Sequence, residues 1–103
     1  MEIVWLPLAE KALDDIFLFY LDKSVIVAQK MISAILSAVA NLANFPEIAA
    51  REQTLINRPE CFRSLVVRHH YKVVYFVANQ QIYIADVWDC RQDPDTLVYH
   101  ITH

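Results

Sequence analysis

The sequence predicts an α+β fold in which an antiparallel helical hairpin packs on an antiparallel sheet. Two observations indicate this class. Through residues 8–42, apolar side chains recur at the spacing of amphipathic helices, with charged side chains between them. From residue 62 onwards the pattern changes to short runs rich in Val, Phe and Tyr. These runs are separated by links of only two or three residues, which is typical of antiparallel strands.

The N-terminal half predicts one strand followed directly by two helices. Residues 3–6 form a short apolar run that ends at Pro7, which suits a first helical turn because the N–H there has no partner. Helical spacing continues through residues 8–20. Ser24 can cap a second helix that extends to residue 45. The short connection requires the two helices to lie antiparallel.

The C-terminal half predicts a three-stranded antiparallel meander. Residues 47–59 are polar and irregular and predict a connecting loop. Strands are expected at residues 62–68, 71–78 and 82–88, whereas the tail, residues 93–103, has no clear pattern. The chain has no glycine, so a histidine in the first tight turn has a conformational cost that glycine would avoid.

The composition indicates one cytoplasmic domain with a partner surface. The 103 residues are predicted to fold as a single domain spanning residues 1–103. Apolar residues make up 56% of the chain, and a surplus of this size in a small domain usually marks an interface. Two cysteines and no signal-peptide pattern favour the cytoplasm. Polar side chains interrupt residues 25–45, which therefore predict a buried helix and no membrane span.

The charge distribution argues against a general nucleic-acid-binding protein. The formal net charge is −3 and the pI is about 5.7, whereas such proteins are usually strongly basic. The hairpin can cover only one face of the meander, so the other face is expected to stay partly open. Lys72 should reach this open face, with either Arg63 or Arg68 beside it, depending on strand register. A local anion site is therefore the most that the charges allow.

Three segments together resemble the RelE/ParE toxin superfamily, which includes plasmid stabilisation proteins. Residues 61–75, CFRSLVVRHHYKVVY, are similar to its core, in which an aromatic and basic strand start leads through a turn to Tyr, a basic residue, two apolar residues and Tyr. Residues 87–94, VWDCRQDP, resemble its last strand and the Arg-containing turn that follows. Residues 20–42 are similar to its helical hairpin. The resemblance covers nearly the whole chain.

The resemblance implies the toxin of a bacterial type II toxin–antitoxin module, which inhibits growth until a cognate antitoxin neutralises it. ParE-like members of the superfamily poison DNA gyrase, whereas RelE-like members cleave mRNA on the ribosome. The resemblance thus implies a protein-binding or an RNA-cleaving activity, with no cofactor and no metal. Either a homodimer or a toxin–antitoxin hetero-oligomer is compatible with it.

The RelE-like activity would require a set of cations and a C-terminal Tyr. By resemblance, Arg63, Lys72 and Arg91 occupy basic positions of that catalytic set, and Leu65 replaces another. Tyr99 lies close to the catalytic Tyr but out of register with it, and packing of a C-terminal extension is its alternative role. The missing cation and the acidic pI favour gyrase poisoning. Endoribonuclease activity and a non-toxic interaction module stay open as alternatives.

A metal site is a weaker interpretation of the same region. His100 and His103 are spaced by one helical turn, and Cys90 or the two histidines of the first hairpin turn could complete a ligand set. Nothing in the sequence predicts a geometry that brings these side chains together.

Overall fold

The computed structural model describes residues 1–102 of the chain, and of Pro94 and Thr102 only the backbone. It confirms the α+β class, with helices and strands in the predicted order. The elements are β1 (Glu2–Trp5), α1 (Pro7–Leu21), α2 (Val25–Leu42), β2 (Ala50–Arg51), a short 3₁₀ turn (Gln53–Leu55), β3 (Arg63–Val67), β4 (Tyr71–Ala78), β5 (Gln81–Asp89) and α3 (Pro94–Thr102).

The strands form one five-stranded sheet in the order β1-β5-β4-β3-β2. The predicted meander is present, because β3, β4 and β5 pair antiparallel in sequence order. β1 extends this meander by pairing parallel to the first half of β5, so the sheet is mixed and not wholly antiparallel as predicted. Residues 47–59, predicted as a loop, also contain β2 and the 3₁₀ turn, so two short elements within this segment were missed.

The helical hairpin forms for the local reasons that the sequence indicates. Pro7 occupies the first turn of α1, and the Ser24 hydroxyl accepts a hydrogen bond of 3.3 Å from the backbone N–H of Val27 at the start of α2. α2 ends at Leu42 rather than at residue 45. Pro46 disfavours helical backbone at Phe45, and residues 43 and 44 already form a turn.

One face of the sheet packs against this hairpin. Ile16 of α1 and Ile35 and Val39 of α2 are buried against the central strands, where Val73 and Ile84 contact them. Within residues 1–102, α2 is the one helix whose length and composition would allow it to cross a membrane. In the protein, four of its residues are buried in the core.

The second face of the sheet is not left open in the way that the sequence predicts. The C-terminal residues form α3, which packs across this face together with the 3₁₀ turn. A second apolar cluster results, in which Leu97 of α3 and Leu55 of the 3₁₀ turn contact Phe62, Val74 and Trp88. The expectation failed because the apolar positions of the tail are too few for helical periodicity to be recognised from the sequence alone.

The two hairpin turns have left-handed backbone without glycine. Asn79 and Gln80 have φ angles of 52° and 62° and link β4 to β5 as a two-residue turn. Arg68 and His69 have φ angles of 56° and 63° in the preceding turn. The predicted conformational cost of a histidine at this point is therefore present in the fold.

Candidate functional site

Arg63 lies at the start of β3 and points to the face that carries the helical hairpin. Its register partner on β4 is Tyr75, which belongs to the hairpin-side core. The guanidinium Nη1 of Arg63 donates a hydrogen bond of 2.6 Å to the carbonyl oxygen of Ala49. The side chain thus fastens the segment after α2 to the edge of the sheet.

Lys72 lies on the opposite face of the sheet from Arg63, because its strand neighbours Tyr71 and Val73 belong to the hairpin-side core. Its ammonium group is 2.5 Å from a carboxylate oxygen of the buried Glu52. Burial raises the pKa of Glu52, but hydrogen bonds from Lys72, Thr54 and Ser64 outweigh this effect and lower the pKa to about 2. Lys72 is therefore engaged in a shielded ion pair.

Arg91 follows the end of β5 and forms a two-pronged ion pair with Asp89. Its Nε and Nη2 donate to the two carboxylate oxygens at 2.9 and 2.8 Å. These hydrogen bonds lower the pKa of Asp89 below its ordinary value. More than half of the Arg91 side chain is exposed, so it differs from Lys72 in being open to solvent.

Tyr99 lies on α3 and is 64% exposed. The structure separates Arg63, on the hairpin face, from Lys72, on the second face. Arg91 lies in the turn after β5 and Tyr99 on the last helix. Arg63 and Lys72, in particular, do not meet, because the sheet separates them.

A groove of about 550 Å³ lies between α1, the end of β5 and α3. We call it the α1–α3 groove. Arg91 and Tyr99 are among its lining residues, whereas Arg63 and Lys72 are not. Its remaining lining residues include Lys11, Ile16, Phe19, Tyr71, Asp86, Trp88 and His100.

An Asp–His pair that sequence reasoning missed lies in this groove. Asp86 is 0% exposed, and its Oδ2 is hydrogen-bonded to the Nδ1 of His100 at 2.7 Å. The other carboxylate oxygen accepts the backbone N–H of Val87 at 2.8 Å. Burial raises the pKa of Asp86, and the hydrogen bond and charge of His100 offset part of this rise. The sequence signal for this pair is an acid, Asp86, that lies between apolar neighbours within a predicted strand.

The histidines of residues 1–102 are not arranged as the metal site considered from the sequence. Among residues 1–102, no group of three or more His, Cys, Asp or Glu side chains is arranged to hold a metal ion. The second histidine of that hypothesis, His103, lies outside the described residues.

Two apolar surfaces remain exposed on the described part of the chain. The first, here called the hairpin surface, lies where α1 and α2 meet and comprises Leu18, Phe19, Leu21, Val25, Ile26 and Val27. The second is a groove of about 350 Å³ between α2 and β3, here called the β3 groove, whose lining includes Ala34, Ala38, Leu65, Val66 and Val67. Exposed apolar side chains grouped in one region are typical of sites of protein association.

The β3 groove also contains an unpaired sheet edge. β2 pairs only with Arg63 and Ser64. Within residues 1–102, the outer side of β3 from Leu65 to Val67 therefore has no strand partner. Such an edge can accept an additional strand from another chain.

Residues 3–94 match the family described as "ParE toxin of type II toxin-antitoxin system, parDE". The chain belongs to the ParE toxin family. A solved structure titled "Chromosomal ParDE TA system from P. aeruginosa" has a similar fold, with a TM-score of 0.71 and 22% sequence identity over 86% of this chain and 95% of that chain. A comparison with curated proteins finds no match. The ParE family match ends at residue 94, where α3 begins.

Proposed function

We propose that this ParE-family chain inhibits growth by binding and poisoning DNA gyrase, and that a cognate antitoxin neutralises it. The ParE family assignment supports the toxin role. The sequence-based preference for a protein target over ribosome-bound mRNA rests on the acidic pI and on Leu65 at a basic position of the RelE-like set.

The choice of a protein target rests on the dispersal of Arg63, Lys72 and Arg91, the basic residues that the resemblance assigns to the RelE-like catalytic set. Metal-free RNA cleavage requires cations and a proton-transferring group around one phosphate. In this chain Arg63 and Lys72 lie on opposite faces of the sheet, and each is bonded to a group of the protein itself. Arg91 forms a two-pronged ion pair with Asp89. Poisoning an enzyme by surface contact requires no such convergence, so the geometry supports that mechanism.

The β3 groove supports the proposed antitoxin. It combines apolar side chains of α2 with the free edge of β3, so an extended apolar segment can both add a strand and bury its side chains there. We propose that the antitoxin docks in this groove, giving a toxin–antitoxin hetero-oligomer. The hairpin surface then remains available to a further protein partner.

The proposal can be tested by following leucine and thymidine incorporation together, just after the chain is induced in a bacterial host. We expect thymidine incorporation to fall first, and the purified chain to inhibit supercoiling by gyrase at micromolar concentration. If leucine incorporation falls first, or if gyrase is unaffected, the gyrase proposal is wrong. Absence of any growth defect would favour a non-toxic interaction module.

Charge-removing variants distinguish the endoribonuclease alternative from the gyrase proposal. Lys72→Ala alone is unsuitable, because it would leave the buried carboxylate of Glu52 unpaired and destabilise the fold. The paired change Glu52→Gln with Lys72→Met removes both charges together. Combined with Arg91→Ala, it should leave toxicity intact if the target is a protein. Loss of toxicity in a folded variant would instead assign Lys72 and Arg91 to RNA cleavage.

A further inference from the structure

Helix α3 is attached to the rest of the protein through few buried side chains. The segment before it, residues 90–93, is exposed, and Leu97 is the one fully buried residue among the described side chains of α3. Segments with few buried apolar contacts and an exposed connection open locally at a lower free energy than the core. α3 also begins where the match to the ParE family ends, so it lies beyond the residues that the family match covers.

A polar contact at the centre of this attachment joins α3 to the sheet. Asp86 is wholly buried in β5, and its Oδ2 is hydrogen-bonded to the Nδ1 of His100 at 2.7 Å. The ring of Trp88 lies 5.6 Å from the His100 ring, centroid to centroid, and limits where the imidazole can lie. A buried carboxylate is unfavourable without a partner, and α3 supplies the partner by lying across the sheet.

An acid at position 86 suits a contact with α3 that opens and closes better than one that is permanent. An apolar residue at position 86 would be exposed to water whenever α3 moved away, which would oppose opening. A carboxylate exchanges its histidine partner for water, so both states of α3 satisfy it. Opening would uncover Phe62, Val74 and Trp88, which otherwise pack with Leu97.

We propose that α3 is a strap that opens and closes over the second face of the sheet, and that the hydrogen bond between Asp86 and His100 holds it closed. In the closed state α3 forms one wall of the α1–α3 groove and covers the second apolar cluster. In the open state this apolar face and the carboxylate of Asp86 are exposed to solvent. This device does not depend on whether gyrase is the target.

Two neighbouring valines provide a matched test of the strap. Val73 and Val74 are both 0% exposed, but Val73 lies beneath the helical hairpin and Val74 beneath α3. Val74→Cys and Val73→Cys are each made in a Cys61→Ser, Cys90→Ser background, and the rate of thiol labelling is measured on the full chain. The thiol at position 74 should react at least about tenfold faster than that at position 73, because opening of α3 requires less than global unfolding. Equal rates would overturn the proposal.

Substitution of His100 tests what holds the strap closed. His100→Ala should accelerate labelling at position 74 by about 10- to 100-fold, the range expected for losing a hydrogen bond to a charged group. Labelling at position 73 should not change. Thr96→Ala, on the same helix but without a side-chain contact to Asp86, should leave both rates unchanged. If His100→Ala accelerates both positions equally, α3 is an integral part of the fold and the proposal is wrong.

Hydrogen exchange on the unaltered chain gives an independent measurement that needs no substitution. The backbone amides of residues 98–101 should exchange at least about tenfold faster than those of residues 73–75 in the central strand. Identical protection of the two segments would show that α3 separates only when the whole protein unfolds, which would overturn the strap.

Discussion

Among single residues, Lys72 is the one whose interpretation changes most between the sequence and the structure, because it forms an ion pair with Glu52. As a strand lysine with a basic neighbour, Lys72 resembles a phosphate contact of a catalytic set. In the structure its ammonium group satisfies a buried carboxylate that also accepts hydrogen bonds from the backbone N–H and hydroxyl of Thr54. Removing one member of such a pair leaves a buried charge, whereas removing both does not.

We therefore expect Lys72→Met to lower the free energy of unfolding by about 3 kcal/mol, since Glu52 stays charged and loses its cation. The double variant Glu52→Gln, Lys72→Met should lie within about 1 kcal/mol of the unaltered chain, because no buried charge remains. Urea denaturation at neutral pH measures both values. A double variant as unstable as the single one would mean that the pair contributes through packing and not through charge.

The same pair makes a specific contribution to acid stability. The pKa of Glu52 is lowered from an ordinary value of 4.5 to about 2, so its stabilising contribution is complete above the unfolded-state pKa and is lost as the pH falls towards the folded-state value. The free energy of unfolding should decrease by about 3 kcal/mol from this group between about pH 5 and pH 2. The double variant should lose that much less over the same range. Parallel pH profiles for the two proteins would contradict this assignment.

At the scale of elements, the turn between β4 and β5 contains an avoidable conformational cost. Both central residues, Asn79 and Gln80, have positive φ, and in such two-residue turns glycine is favoured at the second position. Gln80→Gly should therefore raise the free energy of unfolding by about 0.5–1 kcal/mol. The same substitution at Gln29, exposed within α2, should lower it by about 1 kcal/mol, since glycine weakens a helix interior. Thermal denaturation of both variants checks the opposite signs, and a destabilised Gln80→Gly would contradict the strain.

The elements that the sequence predicts well are those with local causes. Pro7 and Ser24 specify helix starts through their own backbone and side-chain chemistry, and the runs of Val and Tyr specify strands. The position of Arg63 relative to Lys72 depends instead on strand register, which places them on opposite faces through pairings between β3 and β4. The Asp86–His100 contact spans two elements that the sequence does not connect. Sequence positions alone therefore predict a candidate site poorly where strand register and long-range packing determine which side chains meet.

At the scale of the whole molecule, the two grooves lie at different parts of the sheet. The α1–α3 groove lies at the end of β5, whereas the β3 groove lies between α2 and the free part of β3. Strand β4 lies between β5 and β3. A partner that adds a strand to β3 thus need not cover the α1–α3 groove. The hairpin surface, which is left for a further protein partner, also shares no residue with the lining of the β3 groove. We therefore expect that neutralisation and toxicity can be changed independently.

Val66 provides the test of that independence, because it is 58% exposed on the free edge of β3. We expect Val66→Lys to weaken binding of the cognate antitoxin at least about tenfold, since a lysine on an edge strand opposes addition of another strand. Toxicity of the variant alone should be unchanged, while co-expressed antitoxin should no longer restore growth.

Val77 provides the matched control, because it is another exposed strand valine but does not line the β3 groove. Val77→Lys should therefore bind the antitoxin normally. Calorimetric titration measures both affinities. Equal weakening by the two lysines would reflect charge alone, and unaltered affinity of Val66→Lys would place the antitoxin on another surface, with the hairpin surface as the next one to test.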